Sequence, residues 1–193
     1  MQLAQLSDQQ LIVNYLEGNE SAFEELLNRH KDKIYTSIYL FVKDQYQAED
    51  IFQEVFIKII DTLRKGKYNH EGKFVQWAMR ISYNMCVDQF RRSKRRTKVS
   101  ATETFDIFDV LESPEENMET AMINSQMHSK IRTLVDQLPA EQREVVILRH
   151  YADMSFKEIA ALTRVSINTA LGRMRYALIN IRKMIEEKEV ILQ

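Results

Sequence analysis

SFKEIAALTRVSINTALGRMRYALINIRK, residues 155–183, is the stretch that decides the fold of this chain. Ser155 followed three residues later by Glu158 makes a capping box, in which each side chain satisfies a backbone N–H near the other. Ile159, Ala160 and Leu162 follow at helical spacing, then a short polar break, then Ser166 in place to cap a second helix. Two short helices joined by three or four residues form a helix-turn-helix, and small residues such as Ala160 let the pair approach closely. The second helix divides Ile167, Ala170, Leu171, Met174, Leu178, Ile181 and Ile185 from Asn168, Thr169, Gly172, Arg173, Tyr176 and Lys183. An interior glycine such as Gly172 costs about 1 kcal/mol relative to alanine, which a helix lying close against a groove wall can tolerate. In the groove-reading form of the motif, the first half of the second helix meets base edges. Ser166, Asn168, Thr169, Gly172, Arg173, Arg175 and Tyr176 are therefore the candidate duplex-reading residues. Asn168 and Arg173 are suited to bases, Thr169 to a thymine methyl and Arg175 to a phosphate. A plain helical hairpin with a solvated face is the competing reading. The double capping, the turn length and the basic face favour DNA.

Outward from this stretch the chain reads as helix after helix. A helix over about 119–137 and another starting at Pro139, a residue suited to the first helical position, precede the break Ala152-Asp153-Met154. Toward the N-terminus, Ser7 with Gln10 forms a second capping box for a helix ending near Glu17, where Gly18 stops it. A long amphipathic helix spans about 20–42. Asp44 caps the next, about 45–64, in which Ile51, Phe52, Val55, Phe56, Ile59 and Leu63 recur at helical spacing. Gly66, Asn69 and Gly72 mark a loop, and a fourth helix runs from about Phe74 to Arg95. The expected class is all-α: two helical bundles, residues 1–98 and 119–193, joined by a linker at 99–118.

Composition agrees. Four Gly and two Pro in 193 residues are too little punctuation for an all-β chain. One cysteine, Cys86, excludes an internal disulfide and a multi-cysteine metal site, and suits a reducing compartment. No signal-peptide pattern and no apolar run of about 20 residues occurs, so the expectation is a soluble, cytoplasmic protein without membrane insertion. The net charge of −1 conceals segregation: residues 91–98 carry +6, whereas 99–119 carry −7. Such blocks suit different partners, and the basic one attracts nucleic acid through counterion release.

That basic run ends a helix on which Arg80, Tyr83, Asn84, Val87 and Arg91 fall near one line, with Trp77 and Asp88 at its edge, while Phe74, Ala78, Ile81 and Met85 turn toward a core. Aromatic rings beside arginines suit single-stranded nucleic acid, because bases stack on rings while cations hold phosphates. A solvated helix end with Trp77 in the core is the alternative. No P-loop or Gly-rich dinucleotide fingerprint is present. The four histidines lack metal-ligand spacing and are expected at the surface or at helix ends. Cys86 is expected to be a small buried hydrophobe. No catalytic residue, metal or cofactor is assigned.

In four stretches the chain resembles the extracytoplasmic-function sigma factors, the minimal initiation factors of bacterial RNA polymerase. These are FEELLNRHKDKIYTSIYL (23–40), AEDIFQEVFIKI (48–59), WAMRISYNMCVDQFRR (77–92) and residues 138–178. The third carries the family's arginine-isoleucine, asparagine and aspartate pattern through Arg80, Ile81, Asn84 and Asp88. The resemblance implies a non-enzymatic promoter-specificity subunit whose partners are core polymerase, through its β′ and β subunits, and promoter DNA, with an anti-sigma factor as a further candidate partner. It implies core-polymerase contacts at Asp50, Gln53 and Glu54. It implies minus-ten capture and melting by Lys67, Tyr68, Asn69, Trp77, Arg80, Tyr83, Asn84, Arg91 and Arg92, with minus-thirty-five reading by the helix-turn-helix. The linker would thread toward the RNA exit path. Leu171 and Gly172 stand where many members carry lysine and serine. A dimeric helix-turn-helix regulator, with no use for the surface at 48–61, and a helical hydrolase or nuclease, which needs a metal or nucleophile cluster, are the competing classes.

Overall fold

The computed structural model describes residues 3–69, 72–97 and 133–191, with side chains described outside 93–97 and 188–191. Their regular structure is helical, with no strand among the described residues. They belong to two compact units, Met1–Asp109 and Val110–Gln193. The division falls inside the linker expected at 99–118, which lies outside the described residues, as does most of the helix expected at 119–137; residues 133–136 are helical.

The first unit opens with a single 3-10 turn, Leu3–Gln5, and holds α1 (Asp8–Leu16), α2 (Glu20–Val42), α3 (Gln45–Arg64) and α4 (Phe74–Thr97). Local chemistry sets the boundaries. Ser7 and Gln10 make the expected capping box, and the Asp44 side chain accepts from the Gln47 N–H at 2.8 Å. Between α2 and α3 the chain reverses through Lys43, which takes up the left-handed conformation at φ 57° and closes α2 with an N–H to Tyr39 O. Helices α2, α3 and α4 contact one another, and α1 lies on α2. The core between them holds Leu26, Ile34, Ile38, Val55, Ile59, Leu63, Phe74 and Ala78. Cys86 is buried too, and burial pushes its thiol up to about 12, so it stays neutral and packs as a small apolar group.

Two features differ from the sequence reading. His30, expected at a surface or helix end, is buried; its Nε2 lies 2.8 Å from Asp8 Oδ2, and its ring packs on Phe74 at 5.5 Å. Arg29 reaches the same Asp8 at 2.9 Å and also donates to Leu6 O, so two adjacent α2 side chains fasten the start of α1. The inward face of α4 is also rotated from the expected one. Met79, Ser82, Tyr83 and Cys86 join Phe74 and Ala78 in the interior, whereas Ile81 and Met85 are only half-buried.

The second unit comprises α5 (Ala140–His150), α6 (Phe156–Thr163) and α7 (Ile167–Ile191). Pro139 is the cap of α5 rather than its first helical residue, because its ψ of 141° is extended. Arg143 is buried and donates to Asp136 O and Leu138 O, supplying partners to the carbonyls of the turn before α5. Helix α7 contacts both α5 and α6. Ser155 and Glu158 form the capping box of α6, and Ser166 Oγ accepts from the Thr169 N–H at 3.0 Å. Arg164 turns the chain between them in the left-handed conformation, φ 59°. The helix-turn-helix is thus present as read.

Candidate functional site

On α3 the apolar residues at helical spacing, Ile51, Val55, Phe56, Ile59 and Leu63, are buried. Asp50, Gln53 and Glu54 consequently point outward, and all three are exposed. Asp50 and Glu54, one turn apart, line an open groove of about 430 Å³ between α3 and α4. From α4 the groove receives Asn84, Asp88 and Arg92, with Ile51, Ile81 and Met85 supplying apolar lining.

The loop after α3 carries Lys67, Tyr68 and Asn69. The first and third are exposed, and Gly66 at φ 62° starts the turn with its N–H on Leu63 O. Tyr68 folds back onto α4. Its ring lies 4.4 Å from that of Trp77 and 6.3 Å from that of buried Phe74, while Phe74 and Trp77 are 5.8 Å apart. These three rings fix the loop to the helix, and Trp77 and Tyr68 remain half-buried at its margin. Arg80, Asn84, Asp88, Arg91 and Arg92 are exposed along α4. Tyr83 is not part of that row: it is 8% exposed and meets Phe41 edge-on at 5.6 Å, with Val87 half-buried beyond it. The basic run continues past Arg92 into residues whose side chains lie outside the described set.

In the second unit Ser166, Asn168, Thr169, Arg175 and Tyr176 are exposed, with Gly172 between them half-buried. Ser166 and Thr169 are engaged with one another, their oxygens 2.8 Å apart. Arg173, expected to donate to bases, instead turns inward. Its Nη2 lies 2.9 Å from Glu141 and its Nη1 3.5 Å from Glu144, and its side chain is 19% exposed. One helical residue seven positions on, Asn180, donates to Gln142 at 2.8 Å, so α7 is tied to α5 at two levels. Nothing in the order of residues reveals that α5 lies beside α7, which is why this role was not legible. Arg173→Ala is accordingly expected to destabilise the second unit by about 1 kcal/mol, since the pair with solvent-exposed Glu141 is worth little and half-buried Glu144 loses one of its contacts. Duplex affinity should fall alike on every sequence, as anisotropy titrations across unrelated duplexes would measure; a loss confined to one base position would restore the base contact.

Residues 26–96 match the family described as Sigma-70 region 2, and residues 128–175 match that described as Sigma-70, region 4. The chain is 29% identical over 180 residues to the RNA polymerase sigma-H factor of Pseudomonas aeruginosa, covering 89% of this chain and 90% of that one. It is 26% identical over 174 residues to the ECF RNA polymerase sigma factor SigW of Bacillus subtilis, covering 88% and 92%. Among solved structures it shares its fold with the sigma factor RpoE crystallised with the anti-sigma factor NepR from Bartonella quintana. The TM-score is 0.65 and the identity 18%, over 85% of this chain and 96% of that one. Regions 2 and 4, in this order on helical units, define a sigma-70 type initiation factor. The chain belongs to the extracytoplasmic-function group of these sigma factors, and it directs RNA polymerase to promoters.

Proposed function

We propose that the first unit, read as residues 1–98, docks on the polymerase core through Asp50, Gln53 and Glu54 and holds the melted minus-ten strand along the loop 65–73 and α4. The observation that carries this is the shared groove: carboxylates of α3 and the polar residues Asn84 and Arg92 of α4 line one cleft. A factor docked by the first set therefore delivers the second to the DNA. Lys67, Arg80, Arg91 and Arg92 supply cations for phosphates, and Asn69 and Asn84 supply amide groups for base edges. Trp77 and Tyr68, braced by Phe74, offer ring surface to an unstacked base. Melting follows from differential binding, since these groups fit the extruded base and not the paired one. Tyr83 acts from beneath, as packing for this face.

The second unit, read as residues 119–193, reads the minus-thirty-five element in the major groove through Asn168, Thr169, Arg175 and Tyr176. Residues 99–118 serve as an acidic tether toward the RNA exit path. The protein works in the cytoplasm without catalytic chemistry of its own, and an anti-sigma factor is its natural antagonist; no helix among the described residues is long and apolar enough to cross a membrane. Transcription in vitro by core polymerase on a pooled promoter library, with sequencing of the starts, tests the proposal. Starts that appear only with the factor, at a common pair of elements, are expected. Duplex binding with no association with core polymerase would favour an independent helix-turn-helix regulator.

A further inference from the structure

We infer that Leu171 is a sequence-reading residue that recognises the C5-methyl group of a thymine in the upstream duplex; this rests on the major-groove reading of α7. The inward side of α7 is fixed by Ala170 and Ala177, both fully buried. Leu171 points away from that side and is 43% exposed, and Ile167, one turn before it, is 46% exposed. Asn168 and Arg175 lie three residues before and four after Leu171, so all three share one face. The leucine opens onto an apolar groove with Phe156, Met174 and Leu178, rimmed by Arg175 and Arg182. An apolar patch between cations matches duplex DNA: the thymine methyl is the one apolar group on the major-groove edge, and phosphates flank it on both sides.

Gly172 supplies the second observation. A methyl group added there would meet no other part of the protein within 4 Å, so internal packing gives no reason for a glycine inside this helix. Its bare backbone beside Leu171 leaves room for a wall that comes from outside. The acidic or amide side chains that would discriminate other bases are absent from position 171, so the selectivity there is for a methyl and not for a hydrogen-bonding edge.

The test uses holoenzyme assembled from the full chain and core polymerase, on promoter duplexes selected from a pool randomised in the upstream element. A thymine should be enriched at one position, and its replacement by deoxyuridine, which removes only the methyl, should weaken binding about three- to five-fold, the worth of one buried methyl. Leu171→Ala should bind the thymine duplex less tightly and respond to deoxyuridine less than 1.5-fold (about that margin allows for titration error). Leu171→Lys should lose the methyl response while gaining affinity for all duplexes with a steeper salt dependence. Thermal melts of both variants, expected to match the wild type because residue 171 is exposed, separate a reading defect from unfolding. A wild type with a sequence preference but no deoxyuridine response, or a Leu171→Ala variant that keeps the response, would overturn the inference alone and leave the patch to a protein partner. A wild type with no upstream preference would overturn the major-groove reading and the inference together.

Discussion

Asp50→Arg combined with Glu54→Arg is expected to weaken binding to core RNA polymerase by at least about 100-fold, roughly 3 kcal/mol, because it reverses both charges of the proposed docking surface. Both side chains are exposed, and the inward face of α3 at Ile51, Val55 and Ile59 is untouched. The melting temperature should therefore stay within about 2 °C of the wild type, as for surface changes in general. Glu24→Arg, an exposed charge reversal on α2, is the control and should bind normally. Fluorescence-detected titration with labelled core enzyme reads the result. An affinity within about three-fold of the wild type for the double reversal would remove the docking surface from α3.

Phe74→Ala is expected to have the largest effect on the fold. The ring is 2% exposed and touches His30 of α2, Tyr68 of the loop and Trp77 of its own helix. Deleting a buried aromatic costs about 3–5 kcal/mol, a large share of the 5–15 kcal/mol typical of a whole domain. The loss falls at the joint between loop 65–73 and α4, so strand capture should fail even in the fraction that stays folded. Urea unfolding of the full chain should show an early transition for the first unit while the second keeps its midpoint. Permanganate reactivity of promoter thymines in the holoenzyme should drop to background. Phe74→Leu fills most of the space and should lose less than about 1.5 kcal/mol. If Phe74→Ala unfolds with the wild-type midpoint, the ring cluster is not what holds the loop.

The legible parts of this protein are those written in local chemistry. Ser7 with Gln10, Asp44, Ser155 with Glu158, and Ser166 each start a helix within a residue of the position their side chains indicate, because a cap is satisfied by its own near neighbours. The stripe of α3 is equally plain, since its buried residues recur on one face and leave Asp50, Gln53 and Glu54 outside. Helix α4 is harder: apolar side chains occur on most of its sides, so periodicity alone cannot say that Tyr83 enters the core while Ile81 and Met85 stand half out of it. His30 and Arg173 escape for another reason. Their partners are 22 residues upstream in one case and on a separate helix in the other, and only the packing of α1 on α2 and of α7 on α5 brings them together. Leu171 falls in the apolar series of an amphipathic pattern, which does not distinguish a buried leucine from one that is 43% exposed.

The left-handed Arg164 has a consequence for how this reader has been shaped. A side chain in that conformation gives up about 1–2 kcal/mol that a glycine would keep. The arginine is exposed, so no interior contact returns the loss. What the position retains is a permanent positive charge at the mouth of the bihelical element. If the bihelical element reads duplex DNA as proposed, ruggedness and grip pull in opposite directions at this turn, and the arginine favours grip.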